Sequence, residues 1–141
     1  MRFTKSLGDA VLLLSYVAQH PHRRIRIAEV ARYHSLSASH LMNTAKRLAA
    51  FGYLATARGR GGGVSLGRPA NSIRIGDLVR DLEPMPAADS LGEHFGCRSR
   101  NRRPMRKSIV AEGFDALIAA LDAHTLAEIS SEAGRPHRER A

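Results

Sequence analysis

The stretch Arg58-Gly59-Arg60-Gly61-Gly62-Gly63 sets two guanidinium groups among four glycines. Glycine loses more backbone freedom on folding than any other residue, so such a run asks for close approach to another surface. Paired arginines there suit a phosphate or a minor groove. A merely flexible loop shares this composition. A nucleotide-phosphate loop fits less well, because no Gly-Lys-Ser/Thr triplet follows and no strand feeds the glycines into a helix. Upstream, Ser37, Ser39, His40, Asn43, Lys46 and Arg47 run from small and polar to basic, the order wanted where the first turns of a helix reach base edges and the later ones touch phosphates. A solvated helix face has the same pattern.

Asp77 and Asp81 stand one helical turn apart, but Arg74 and Arg80 are within reach, so surface pairing is preferred to a metal or acid–base pair. With no nucleophile–base pair, carboxylate cluster or metal motif in sight, the reading is not an enzyme. The single cysteine, Cys97, is followed by Arg98, Arg100, Arg102 and Arg103. Nearby guanidinium groups favour a thiolate, which can be oxidised, nitrosated or joined to a second copy, making Cys97 a candidate sensor; an inert thiol is the competing reading.

Apolar residues at helical spacing supply the elements that would position these groups. Leu7, Ala10, Val11, Leu14, Val17 and Ala18 predict a helix over Ser6–Gln19, ended by His20-Pro21. A second helix fits Ile27–Tyr33, with Ile27, Val30 and Ala31 inward. Ser37 is the expected N-cap of a third, running to about Phe51 with Leu41, Ala45, Leu48 and Ala49 inward and Gly52 as its left-handed stop. Helix, short turn and capped helix outline a helix-turn-helix. Tyr53–Ala57 and Val64–Leu66 read as strands of a hairpin around the glycine-rich tip. A helix follows over Ile73–Leu82 with Ile75, Leu78, Val79 and Leu82 inward, then a longer one over Met105–Ala123. The apolar stripe of the latter, Ile109, Val110, Phe114, Leu117, Ile118 and Leu121, lies beyond an irregular segment, and pairing with a second subunit would cover it.

The bulk numbers agree. The chain has 141 residues, 22 Lys+Arg against 13 Asp+Glu, and a formal charge of +9, which favours a polyanionic partner. The longest apolar run, Ala10–Leu14, is far short of the roughly 20 residues of a membrane span. Asp9 and the His20-Pro21-His22-Arg23-Arg24 segment do not suit a secretion signal, so a cytoplasmic location without membrane association is expected. One cysteine allows neither an intrachain disulfide nor a multi-cysteine metal site within one chain.

The segments Ser37-Ala38-Ser39-His40-Leu41, Phe51-Gly52-Tyr53-Leu54, Arg58-Gly59-Arg60-Gly61-Gly62-Gly63, Leu66-Gly67-Arg68-Pro69 and Ile73 through Pro84 resemble, in order and spacing, the Rrf-type bacterial winged-helix regulators. The wing, the Ile73-Arg74-Ile75-Gly76-Asp77 run and Leu82-Glu83-Pro84 are most similar to the NsrR branch, and Leu121–Ile129 continues the likeness. The resemblance implies a dimer whose third helices enter successive major grooves of a palindromic operator while the wings reach the minor groove. It also implies a [2Fe–2S] or [4Fe–4S] cluster held by three cysteines before the dimerisation helix and sensing nitric oxide, iron or redox state. Here the pattern departs. Cys97 falls where the middle cysteine belongs, Arg103 stands for the third, and Ser90 lies in the region of the first. Gly8 stands where the first helix commonly carries a cluster-ligating Asp, with Asp9 one residue later.

The resulting expectation is a mainly α winged helix-turn-helix protein: a DNA-binding domain over 1–84, an Arg-rich loop over 85–104, a dimerisation helix with a short terminal helix over 105–132, and a disordered tail over 133–141. Its expected role is a homodimeric, sequence-specific repressor with no cofactor and no metal, contacting duplex DNA through Ser37, Ser39, His40, Asn43, Lys46, Arg47, Arg58 and Arg60. The alternatives are a non-specific nucleic-acid-binding module and an iron–sulfur sensor with an atypical ligand set, such as Cys97 with His94 from two subunits.

Overall fold

Helix formation begins at Thr4, whose hydroxyl accepts from the Leu7 amide at 3.4 Å and so caps α1 (Lys5–Ala18). The computed structural model describes residues 4–83 and 107–133, with side chains from 112 to 131 in the second stretch. The expected loop over 85–104 with Cys97, the side chains of Ile109 and Val110, and the tail from 134 lie outside the described residues.

Leu7, Ala10, Leu14 and Val17 are buried along α1 as their spacing predicts, joined by Leu13, while Val11 and Ala18 are only partly covered. Helix α2 (Ile27–Tyr33) buries Ile27, Val30 and Ala31. The chain then turns sharply: Ser35 takes φ +54° and the Leu36 amide donates to the Ala31 carbonyl at 2.8 Å. Ser37 caps α3 (Ala38–Ala50), accepting from the His40 amide at 3.5 Å. The inward face of α3 is Leu41, Thr44, Ala45 and Leu48. Ala49, expected inward, is half-covered; Thr44 is buried instead, because its hydroxyl is satisfied by the His40 carbonyl at 3.3 Å. The stop is as expected: Gly52 has φ +76°, its amide donates to Ala49 at 3.0 Å and that of Tyr53 donates to Leu48 at 2.9 Å, closing a Schellman motif.

Strands β1 (Leu54–Ala57) and β2 (Gly63–Leu66) pair antiparallel with Leu54 opposite Leu66 and Ala57 opposite Gly63. A third piece of extended chain joins them, since Ile25 and Val64 exchange amide–carbonyl bonds of 2.8 Å in both directions. A 3₁₀ turn over Ala70–Ser72 then leads to α4 (Ile75–Leu82), which buries Ile75, Leu78, Val79 and Leu82.

This helix starts two residues later than expected. Ile73 and Arg74 are held extended by bridging to Thr125: the Leu126 amide donates to the Ile73 carbonyl at 2.8 Å and the Ile75 amide to His124 at 3.0 Å. Those partners lie between α5 (Lys107–Asp122) and α6 (Leu126–Ala133). Thr125 and Glu128 cap α6 reciprocally, each side chain accepting from the other's amide at 3.4 and 3.3 Å.

One core serves all these elements. Leu13, Leu14, Ile25, Leu41, Leu48, Tyr53, Ile73, Leu78 and Leu82 are buried in it, and so are Ile118 of α5 and Leu126 of α6. Each such aliphatic side chain contributes about 1.5–3 kcal/mol by leaving water. The C-terminal helices are thereby seated on the winged-helix body, α5 against α4 and α6 against α1.

Candidate nucleic-acid interface

Ser37, Ser39, His40, Asn43, Lys46 and Arg47 are all exposed on α3, but they do not form one uniform face. Ser37 and Ser39 sit at the start with their hydroxyl oxygens 3.0 Å apart, and Asn43 and Lys46 follow along the open side. Arg47 departs from the expectation of a free phosphate contact. Its guanidinium donates to the Leu82 carbonyl at 2.9 Å and to the Ser6 hydroxyl at 3.3 Å, tying α3 to α4 and α1. The end of α4 presents an unpaired carbonyl there, which a guanidinium satisfies better than water would. His40 is also engaged, with Nδ1 3.0 Å from the carboxylate of Asp9 on α1, whose side chain is 6% exposed.

The wing tip is built from glycines in left-handed conformations, Gly59 at φ +91° and Gly61 at +85°, closed by a Gly62-to-Gly59 hydrogen bond of 2.9 Å. Gly63 is required for a different reason: a side chain there would meet the Ile25 carbonyl that pairs with β2. Arg58 and Arg60 are exposed, and among the described residues no carboxylate pairs with them or with Lys46. Unneutralised guanidinium groups on a narrow, side-chain-poor tip are free to meet phosphate oxygens. Sequence reasoning missed Arg24. Because Ile25 bridges to Val64, the Arg24 stem lies against Gly63 and adds a third exposed cation beside the wing. The signal was the β-branched Ile25 between two arginines, an alternation suited to an edge strand.

The carboxylates considered as a metal pair are separated in role. Asp77 accepts from Arg80 at 2.8 Å, while Asp81 accepts from the buried Tyr53 hydroxyl at 2.6 Å. Arg68 lies 4.0 Å over the Tyr53 ring. Burial first, and then the Asp81 carboxylate, push the Tyr53 hydroxyl well above the usual phenol range, so it stays a donor. Arg80 also pairs with Asp122, and Arg74 donates to the Asp122 carbonyl at 3.3 Å, fastening α5 to α4.

A winged helix-turn-helix whose recognition helix and wing both expose unpaired polar and basic groups is the arrangement of a DNA-binding regulator. Residues 3–132 match the Rrf2 family, described as an iron-dependent transcriptional regulator. The chain belongs to the Rrf2 family.

Solved structures share the fold. CymR, the global cysteine regulator of B. subtilis, superposes with a TM-score of 0.74 at 22% identity over 94% of this chain and 98% of its own. IscR of T. potens gives 0.74 and 22% over 100% and 93%. The oxidised form of Staphylococcus aureus CymR gives 0.70 and 24% over 92% and 96%. No helix among the described residues is long and apolar enough to cross a membrane.

Among the described residues no donor set for an iron–sulfur cluster is brought together. The chain has one cysteine, and among the described residues no three His, Cys, Asp or Glu side chains converge. Gly8 offers no ligand, and Asp9 is committed to His40.

Proposed function

We propose that this Rrf2 regulator is a cytoplasmic homodimer that represses transcription by binding a palindromic operator without a cluster. The observation that supports this best is the pairing, around one core, of an open α3 face (Ser37, Ser39, Asn43, Lys46) with a glycine-built wing carrying Arg58 and Arg60. The first suits base edges in the major groove and the second suits the backbone or minor groove. Leu117 supports the dimer. Ile118 is spent on the subunit's own core and Phe114 and Leu121 pack against that core, whereas Leu117 is only partly buried and is not among the side chains packed on it. With Ile109 and Val110, it forms the part of the α5 stripe we assign to the partner.

Selection of duplexes from a random pool, followed by binding of the selected and scrambled sequences at fixed salt, tests the reading. A preference of about 10³ or more supports a specific regulator, and equal binding makes the chain a general nucleic-acid module. Binding should be the same in chelator-treated, aerobic and anaerobic preparations. Cys97 is the proposed signal input: under peroxide or a nitric oxide donor, wild type should release DNA and Cys97→Ser should not.

A further inference from the structure

Between Asp9 and Asp77 the chain carries ten Lys and Arg and a single carboxylate, Glu29. That carboxylate is taken: it accepts from Arg23 at 3.0 Å and from the Tyr16 hydroxyl at 2.9 Å. Other cations of the stretch are spent inside the fold as well, Arg47 on the Leu82 carbonyl, Arg68 on the Tyr53 ring and Arg74 on the Asp122 carbonyl. Arg24, Arg26, Arg58 and Arg60 are exposed, and among the described residues no carboxylate pairs with any of them.

These four are not scattered. Ile25 is fully buried and exchanges amide–carbonyl bonds of 2.8 Å with Val64, which makes its segment a short edge strand beside β2. Side chains alternate across a strand, so with Ile25 in the core Arg24 and Arg26 are turned to solvent on either side of it. The backbone of Arg26 is still extended before α2 begins. Val64 directly follows Gly63, the last glycine of the wing, and the Arg24 β-carbon lies 3.4 Å from the place where a Gly63 side chain would begin. The arginines of the edge strand therefore stand at the base of the wing whose tip carries Arg58 and Arg60. Like charges gathered this way repel one another in the free protein, and a polyanion lying across them relieves that repulsion.

We propose that Arg24 and Arg26 form a second backbone clamp for DNA, gripping phosphates that flank the groove entered by the wing. The inference rests on the DNA-binding reading above and extends its surface by one strand. A guanidinium meets phosphate oxygens through parallel N–H donors, and such a contact carries no base information. The edge strand thus adds affinity and fixes the protein's position on the duplex without adding sequence preference. Arg23 supplies an internal comparison. It lies in the same exposed segment, but Glu29 already neutralises it.

The test is fluorescence anisotropy of the full chain over a salt series, with a duplex that wild type selects from a random pool and with a scrambled duplex. Arg24→Gln and Arg26→Gln should each weaken binding to both duplexes alike and make the fall of log K with log salt shallower by about 0.9. Wild type should accordingly lose about threefold more affinity than either variant between about 50 and 200 mM salt. Arg23→Gln removes the same charge from the neighbouring position and should leave the slope as it is. At the gripped phosphate, an uncharged methylphosphonate should make wild type and Arg24→Gln bind alike. Both side chains are exposed, so thermal midpoints should not fall, and weaker binding then reports a lost contact rather than unfolding. A slope unchanged in Arg24→Gln and Arg26→Gln overturns the clamp. So does an equal change in Arg23→Gln, which would mean that net charge alone matters. Failure of wild type to bind any duplex overturns instead the reading beneath it.

Discussion

Asn43 and the wing arginines should fail differently when removed, because they meet different parts of DNA. The Asn43 amide can donate and accept at once toward an adenine edge, so Asn43→Ala should cost about 1–3 kcal/mol on the selected operator and leave random DNA nearly unchanged. Arg58→Ala or Arg60→Ala should weaken binding on most sequences and reduce the slope of log K against log salt by about 0.9 for each lost phosphate contact. Equal losses on operator and random DNA for Asn43→Ala would show that it reads no base. Away from the interface, Glu29 accepts from Arg23 at 3.0 Å and from the Tyr16 hydroxyl at 2.9 Å, and these two bonds, in that order of effect, hold its carboxyl down to about 2. A carboxyl whose folded value lies below its unfolded one stabilises the fold above the usual carboxylate range and ceases to as pH falls toward 2. Thermal midpoints of wild type and Glu29→Gln should therefore differ at pH 6 and converge near pH 2, the values bracketing that titration.

Between elements, two glycines of the C-terminal half test how α5 is seated. A methyl group on Gly76 of α4 would overlap the Asp122 carboxylate and crowd the Ile118 carbonyl, at 3.0 Å. Gly76→Ala should therefore push α5 off α4, strain the Arg80–Asp122 pair, and cost about 1–3 kcal/mol, as overpacking does. Gly113, within α5, has nothing within 4 Å of the place a methyl would occupy. There Gly113→Ala should stabilise by about 0.5–1 kcal/mol through backbone entropy alone. Opposite signs in urea melts are the expected result. Two destabilisations would mean that α5 is not seated as described. Sequence spacing found each α-helix among the described residues, yet it could not see why residue 76 is glycine. The reason lies 46 residues downstream, on a helix whose approach no local pattern encodes.

For the assembled molecule, Leu117→Glu places a charge at a partly exposed position of the α5 stripe that lies outside the subunit's own core. If that stripe joins two subunits, sedimentation should show wild type as a dimer at micromolar concentration and the variant as a folded monomer. The monomer should bind a palindromic site much more weakly, since each half-site is then paid for separately. A wild-type monomer at that concentration would remove the dimer from the proposal. Ile118→Glu should behave otherwise and unfold the subunit, because that side chain is 5% exposed within a single chain.

The sequence by itself determined the helices, the capped recognition helix, the glycine-tipped hairpin and the family, because each is written in local terms: apolar period, a serine before a helix, glycine where φ must be positive. Lone residues were legible only where their environment is local too, as at Gly52 and Ser37. Tertiary structure decided what the exposed-looking polar residues do. Arg47 turned inward to the open carbonyl end of α4, His40 turned to a carboxylate on α1, and Asp81 went to Tyr53 rather than to Asp77. It also decided that Ile118 and Leu126 complete the core of the first 83 residues. A hydrogen bond or a buried contact needs two groups to meet in space, and spacing along one helix reports only one of them.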